Sequence, residues 1–228
     1  MSRKILRKAI DKAYGARRLL ASKELKAISA YSMGSFLTLE NLNALAVDVL
    51  ERDIQGDFVE CGVFNGGSAA AAACAIRSSD RKIWLYDSFE GMPEITAADG
   101  PAAADFVGEC VGDEAKVHAA MRLARFPEDR YVIRKGWFQD TFTAGPMSGS
   151  IAFLHIDADW YDSVQLALET FYDRVSTGGV IILDDFGHWE GCREAFYDFA
   201  ADRGIKPLLE RFGHTQAYWI KDRTHNRI

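Results

Sequence analysis

The chain reads as an α/β protein: a doubly wound, mostly parallel sheet of seven strands that ends in a C-terminal antiparallel hairpin. Three observations predict it. Short apolar runs such as Ile151-Ala152-Phe153-Leu154 and Val180-Ile181-Ile182-Leu183 lack the alternation of a half-exposed strand and suit strands covered on both faces. Such runs alternate with segments of helical periodicity. Near the end, Lys206–Phe212 and Gln216–Lys221 flank Gly213-His214-Thr215, a hairpin pattern.

Taken in order, residues 1–35 form a basic segment expected to be helical. Within residues 1–26 there are nine Lys or Arg against only Asp11 and Glu24, with a weak apolar face from Ile5, Leu6, Ile10, Leu19 and Leu20. The segment lacks the apolar core of a secretory signal. A basic amphipathic helix can lie on a membrane surface; a solvated face on a packing or dimer-forming helix is the other reading. Residues 36–228 are read as one domain. Phe36–Arg52 places Leu39, Leu42, Leu45, Ala46, Val49 and Leu50 at helical spacing. Asp57–Val63 is the first strand, and the alanine-rich Ser68–Arg77 is a helix suited to close packing on a sheet. Lys82–Phe89 is the second strand. Residues 91–130 make a long connection with a helix near Asp113–Arg125, and a connection of that length is expected to cover a binding pocket or to be a surface insertion. Tyr131–Trp137 and Ile151–Asp157 are the third and fourth strands, followed by a helix over Ser163–Val175. Val180–Asp185 is the fifth strand, and Gly191–Arg203 is the last helix before the hairpin.

Composition narrows the function. A length of 228 residues with 48% hydrophobic residues can bury the core of one domain, and a net charge of −6 argues against a nucleic-acid binder. The four cysteines are scattered without Cys-x-x-Cys or zinc spacing, as in reduced thiols of a cytoplasmic protein. No apolar run approaches the ~20 residues of a membrane span.

The chemistry concentrates at strand ends. His155-Ile156-Asp157-Ala158-Asp159 follows one apolar run, and Leu183-Asp184-Asp185-Phe186 follows another. Parallel neighbours lie about 5 Å apart, so their carboxylates would emerge at one sheet edge, where open α/β sheets bind ligands. Carboxylates crowded together repel unless protons or a hard divalent cation offset the charge, so a metal site is expected. Asp159 or Asp162 could instead cap the following helix. The first strand runs into Glu60-Cys61-Gly62-Val63-Phe64-Asn65-Gly66-Gly67-Ser68, a glycine turn before a helix. It has neither the Gly-x-Gly-x-x-Gly pattern nor a Gly-Lys-Ser/Thr, so a phosphate grip is unsupported. Asp87, beside Ser88, follows Gly62 by 25 positions, close to the ~20 at which an acidic residue receives ribose hydroxyls. Glu60, Gly62, Ser68, Asp87 and Ser88 are thus the candidate cofactor-binding residues, in an anionic site that suits a sulfonium better than a pyrophosphate.

At these residues the chain resembles a known family. Asp57-Phe58-Val59-Glu60-Cys61-Gly62-Val63-Phe64-Asn65-Gly66-Gly67-Ser68, Asp87-Ser88-Phe89-Glu90-Gly91-Met92-Pro93, Leu154-His155-Ile156-Asp157-Ala158-Asp159, and Asp184-Asp185-Phe186-Gly187 before Gly191-Cys192-Arg193 look like the macrocin O-methyltransferase family. The similarity runs from about Tyr31-Ser32-Met33 to the hairpin. It implies the Rossmann-like methyltransferase fold, S-adenosylmethionine and Mg²⁺ as cofactors, and a hydroxyl of a sugar or glycosylated natural product as acceptor. It also implies Asp157, Asp184 and Asp185 as metal ligands. In the aminocoumarin branch the residue matching Asp159 is the general base; other members use an upstream histidine with no confident match here, and His188 is a second candidate.

Other readings stay open at this point. A catechol-type phenolic acceptor would chelate a metal equally well. A nucleotide-dependent oxidoreductase or metal hydrolase is disfavoured by the glycine pattern and by the expectation that no histidine ligand stands beside the aspartates. A non-catalytic module would not require all of these carboxylates. Trp137, Phe138, Trp160 and Tyr161 could wall a pocket or pack the core. The partner expected is a small hydroxylated, sugar-containing molecule, and association into a homo-oligomer is open.

Overall fold

The computed structural model describes residues 23–143, 147 and 149–225. The expected helix in the basic N-terminal segment therefore lies largely outside the described residues, and only its end, residues 23–28 (α1), is seen as helix.

The predicted architecture holds. Strands β1 (Asp57–Cys61), β2 (Ile83–Asp87), β3 (Tyr131–Lys135), β4 (Ile151–Ile156), β5 (Val175–Leu183), β6 (Glu210–Phe212) and β7 (Gln216–Ile220) form one sheet in the order β3-β2-β1-β4-β5-β7-β6. The first five are parallel, and β7 runs antiparallel to both β5 and β6. The strand order reverses between β1 and β4, which makes their C-terminal ends the crevice where such sheets take ligands.

Helices cover both faces. On one side lie α1, α2 (Phe36–Glu51), α3 (Gly67–Ile76) and α4 (Glu114–Leu123), packed on Phe58, Leu85, Phe153 and Ile182. On the other lie α5 (Phe138–Thr141), α6 (Tyr161–Phe171) and α7 (Glu190–Asp202), packed on Val59, Tyr86, Leu154 and Ile181. Successive strand residues point to opposite faces, so continuous apolar runs feed both cores at once. Ser35 caps α2, its hydroxyl accepting the Thr38 N–H. The buried alanines 69–73 of α3 bring its backbone close to the sheet and to α2.

Element ends differ from expectation where side-chain pattern and pairing disagree. β5 begins at Val175, because Ser176-Thr177-Gly178-Gly179 carries no apolar signal yet is held by Gly178 and Gly179 bonding to Lys221. The preceding helix accordingly stops at Phe171. β3 ends at Lys135, and Trp137 opens the unforeseen short helix α5. β6 shrinks to three residues, since Pro207 has no N–H to give a ladder. All four cysteines are free thiols. Among the described residues no helix is long and apolar enough to cross a membrane.

Candidate active site

The ends of β1, β2, β4 and β5 open into a cavity of about 810 Å³. Gly62, Ser68, Asp87 and Ser88 line one part of it, and Asp157, Asp159, Asp184 and Asp185 another. Tyr31–Ser35 and the first turn of α2 close one wall, and the tip of the β6–β7 hairpin another.

The glycine turn is built by close approach. Gly62 has φ +85°, and a Cβ there would sit 1.7 Å from the carbonyl oxygen of Asp157, so β1 and β4 can meet at the crevice only through glycine. Asp87 braces the turn: its Oδ2 accepts the N–H groups of Val63 and Phe64 at 2.7 and 2.8 Å, and Oδ1 accepts that of Phe89 at 2.6 Å. Three of about four lone-pair positions are thereby used, which leaves roughly one for a ligand hydroxyl. The Ser88 hydroxyl accepts the Glu90 N–H and donates to the Gly91 carbonyl.

Glu60 departs from its expected place. It is not a wall of the cavity but is buried at 3% exposure, with Oε1 2.8 Å from His155 Nδ1. The reason is register: Glu60 of β1 stands opposite His155 of β4, so the two share one face of the sheet, beneath α2 and α3. His155 Nε2 lies 3.1 Å from Asp184 Oδ1. A histidine does therefore stand beside the aspartates, contrary to expectation. Burial opposes charge on His155, but hydrogen bonds to Asp184 and Glu60 outweigh it and hold its pKa well above the usual value. The available signal was an ionisable residue set among apolar neighbours near the end of each strand, Glu60 in β1 and His155 in β4.

The carboxylates converge. One oxygen each from Asp157, Asp159 and Asp185 lies within 4.8 Å of the others, and a ligand atom each from His155, Asp157 and Asp184 forms a second such group. The extended backbone does not persist past β4: Asp159 has φ +56° and reaches the group from a left-handed turn. Nor does Asp159 cap α6, whose first N–H, from Tyr161, goes instead to Asp99 Oδ1 at 2.6 Å. Loss of water and the neighbouring carboxylates hold Asp157 and Asp185 well above the usual carboxylate range. The same loss raises Asp159 to about 6, against hydrogen bonds from Asp185 and Trp189. The Asp185 Oδ2 is buried without a hydrogen-bond partner. His188 is exposed at the cavity wall, its ring 4.5 Å from that of Trp189.

A family model described as macrocin-O-methyltransferase (TylF) matches residues 4–221. The chain belongs to the macrocin O-methyltransferase family. As a member it is an S-adenosylmethionine-dependent O-methyltransferase. It is 32% identical over 199 residues to 8-demethyl-8-(2,3-dimethoxy-alpha-L-rhamnosyl)-tetracenomycin-C 4'-O-methyltransferase of Streptomyces olivaceus, covering 83% of this chain and 75% of that protein. It is 30% identical over 200 residues to mycinamicin III 3''-O-methyltransferase of Micromonospora griseorubida, covering 83% of this chain and 78% of that one. The structure of the O-methyltransferase NovP superposes with a TM-score of 0.75 at 28% identity, over 85% of this chain and 83% of that one. That of the calicheamicin methyltransferase CalS11 gives 0.69 at 20% identity, over 90% and 93%, which bears on the fold alone. The macrocin O-methyltransferase match thus spans all seven strands and the strand ends at which the carboxylates meet.

Proposed function

We propose that this enzyme methylates a hydroxyl of a sugar-containing small molecule, with Mg²⁺ held by Asp157, Asp184 and Asp185 and with Asp159 as general base. The observation that carries the reading is the convergence of four aspartates on the wall of a cavity whose other part is the glycine turn. The donor set fits a hard divalent cation: Asp157 belongs both to a group with His155 and Asp184 and to one with Asp159 and Asp185, one Asp185 oxygen is buried without a partner, and loss of water together with neighbouring carboxylates raises the pKa values of Asp157 and Asp185. A sugar is favoured over a phenol because one relative's name specifies a rhamnosyl group and a 4' position.

When bound, the cation supplies positive charge that acidifies and fixes the acceptor hydroxyl, and the sulfonium of S-adenosylmethionine supplies the methyl group. The residues of the chain do the rest. Gly62 and the turn braced by Asp87 shape the cofactor's end of the cavity, and holding the two reactants in line supplies much of the acceleration. Asp159 takes the hydroxyl proton as the oxygen–methyl bond forms and the sulfur–methyl bond breaks, which leaves a neutral thioether and an ether. Beside the cation the Asp159 carboxylate would stay ionised and free to accept a proton, and the acidified hydroxyl narrows the pKa gap between the two groups.

Turnover of a glycosylated acceptor with S-adenosylmethionine, measured with EDTA and after Mg²⁺ is restored, tests the reading. Activity should vanish and return, and Asp185→Ala should be inactive at any magnesium concentration. Full activity in EDTA would remove the metal from the mechanism.

A further inference from the structure

Asp184 is held by a hydrogen-bond chain that crosses four strands and ends on a helix. Its Oδ1 is 2.6 Å from Gln216 Nε2 and 3.1 Å from His155 Nε2. Behind His155 stands Glu60, at 2.8 Å. Behind Gln216 stands Asn41 of α2, whose Nδ2 donates to Gln216 Oε1 at 2.9 Å. Gln216, on β7, is 1% exposed, and the antiparallel register that sets Ala217 against Leu183 brings it beside Asp184.

The chemistry of an amide makes Asn41 decisive. A primary amide has a donor end and an acceptor end. Asn41 engages the oxygen of Gln216, so the Gln216 NH₂ can only face Asp184. Both donors converge on the same carboxylate oxygen, Oδ1, while Asp184 itself lines the cavity. One oxygen is therefore spent on the protein scaffold, and Oδ2 carries no hydrogen bond among the described residues. A carboxylate fixed in this way does not have to be ordered when it takes up a cation.

We infer that Gln216 and Asn41 are positioning residues for the metal carboxylate Asp184, acting from the β7 side of β5 while Glu60 and His155 act from the β4 side, all on the face of the sheet beneath α2. The inference rests on the metal reading above. Residues that orient a ligand through such bonds typically contribute 10- to 100-fold in metal affinity.

The test is Mn²⁺ and Mg²⁺ affinity by calorimetry without cofactor, on the wild type, Gln216→Leu and Asn41→Asp. Gln216→Leu keeps the approximate volume and removes both bonds. Asn41→Asp keeps its own shape but presents a carboxylate to the Gln216 oxygen, which should turn the Gln216 amide and point its oxygen at Asp184. Both variants should bind metal about 10- to 100-fold more weakly while S-adenosylmethionine affinity stays within two-fold, and saturating metal should recover most of kcat. Retention of cofactor affinity reports that the fold is intact; should the buried Gln216→Leu lose it, the half-buried Asn41→Asp decides alone. Wild-type metal affinity in Asn41→Asp would overturn the inference and leave the metal site standing. A wild type that binds no divalent cation would overturn both.

Discussion

Asp159 is where one carboxylate must be told apart from its neighbours. It lies as close to Asp157 and Asp185 as a ligand would, yet it arrives from a left-handed turn beyond the strand and bonds to Trp189. Asn tolerates the left-handed conformation almost as well as Asp, so Asp159→Asn preserves backbone and shape while removing the proton acceptor. We expect kcat to fall about 10²-fold or more, the scale of general-base catalysis, with Mg²⁺ and cofactor affinities retained. Single-turnover kinetics together with calorimetry check this. Turnover within a few-fold of wild type would move the base to His188 or to solvent, and lost metal affinity would make Asp159 a ligand. His155 carries a different lesson. It precedes the Asp-x-Asp in sequence, but its partners Glu60 and Asp184 are 95 and 29 positions away, so only strand register could disclose the pairing.

At the scale of elements, the crevice depends on how closely β1 and β4 approach. The 1.7 Å separation that a Cβ at Gly62 would meet is to backbone, which cannot swing aside. Gly62→Ala should cost about 2 kcal/mol or more, as strained and overpacked positions do. Urea denaturation would measure the loss, and the protein that remains folded should bind S-adenosylmethionine more weakly. The first part of the connection between β2 and α4 is pinned where Trp160 Nε1 donates to the Pro93 carbonyl at 3.0 Å and where Asp99 joins Thr96 to the start of α6, and its end where the Asp113 N–H donates to Asn65 Oδ1 at 3.0 Å. Between those pins, Phe106 and Cys110 line the cavity, and Phe106 remains 41% exposed. We expect hydrogen exchange to slow over residues 103–112 when cofactor and acceptor are added together, while residues near Asp99 are protected throughout. Unchanged exchange over 103–112 would leave that stretch a static wall rather than a cover.

For the whole molecule, the clustered carboxylates tie stability to pH. Asp159 is raised to about 6, and Asp157 and Asp185 are raised well above their ordinary range. A carboxyl with a raised pKa in the folded state binds its proton more tightly there than in the unfolded chain. Its contribution to stability is therefore complete below about pH 4 and is lost as pH rises through the folded value, near 6 for Asp159. A divalent cation binds the ionised form and relieves that loss. The rise in melting temperature on adding Mg²⁺ should accordingly be larger at pH 8 than at pH 5, as differential scanning calorimetry would show. An equal rise at both pH values would mean that the cation does not sit among these carboxylates.

Much of this molecule was decided by local pattern. Apolar runs with helical segments between them specify strands buried on both faces, and that alternation fixes a doubly wound sheet whatever the side chains beyond it. Strand-end positions were equally readable, because Asp87 and Asp184 follow directly on apolar runs and Asp157 and Asp185 stand within a few residues of one. The sequence could not show what depends on register between strands far apart in the chain. Register turned Glu60 away from the cavity toward His155, and set Gln216 beside Asp184. Nor could it show where the extended backbone stops, and that is what brings Asp159 in from a left-handed turn. Period and polarity are properties of neighbours along the chain, whereas hydrogen-bond partners across a sheet are chosen by which residues the pairing sets level, and that choice is made only when the whole sheet closes.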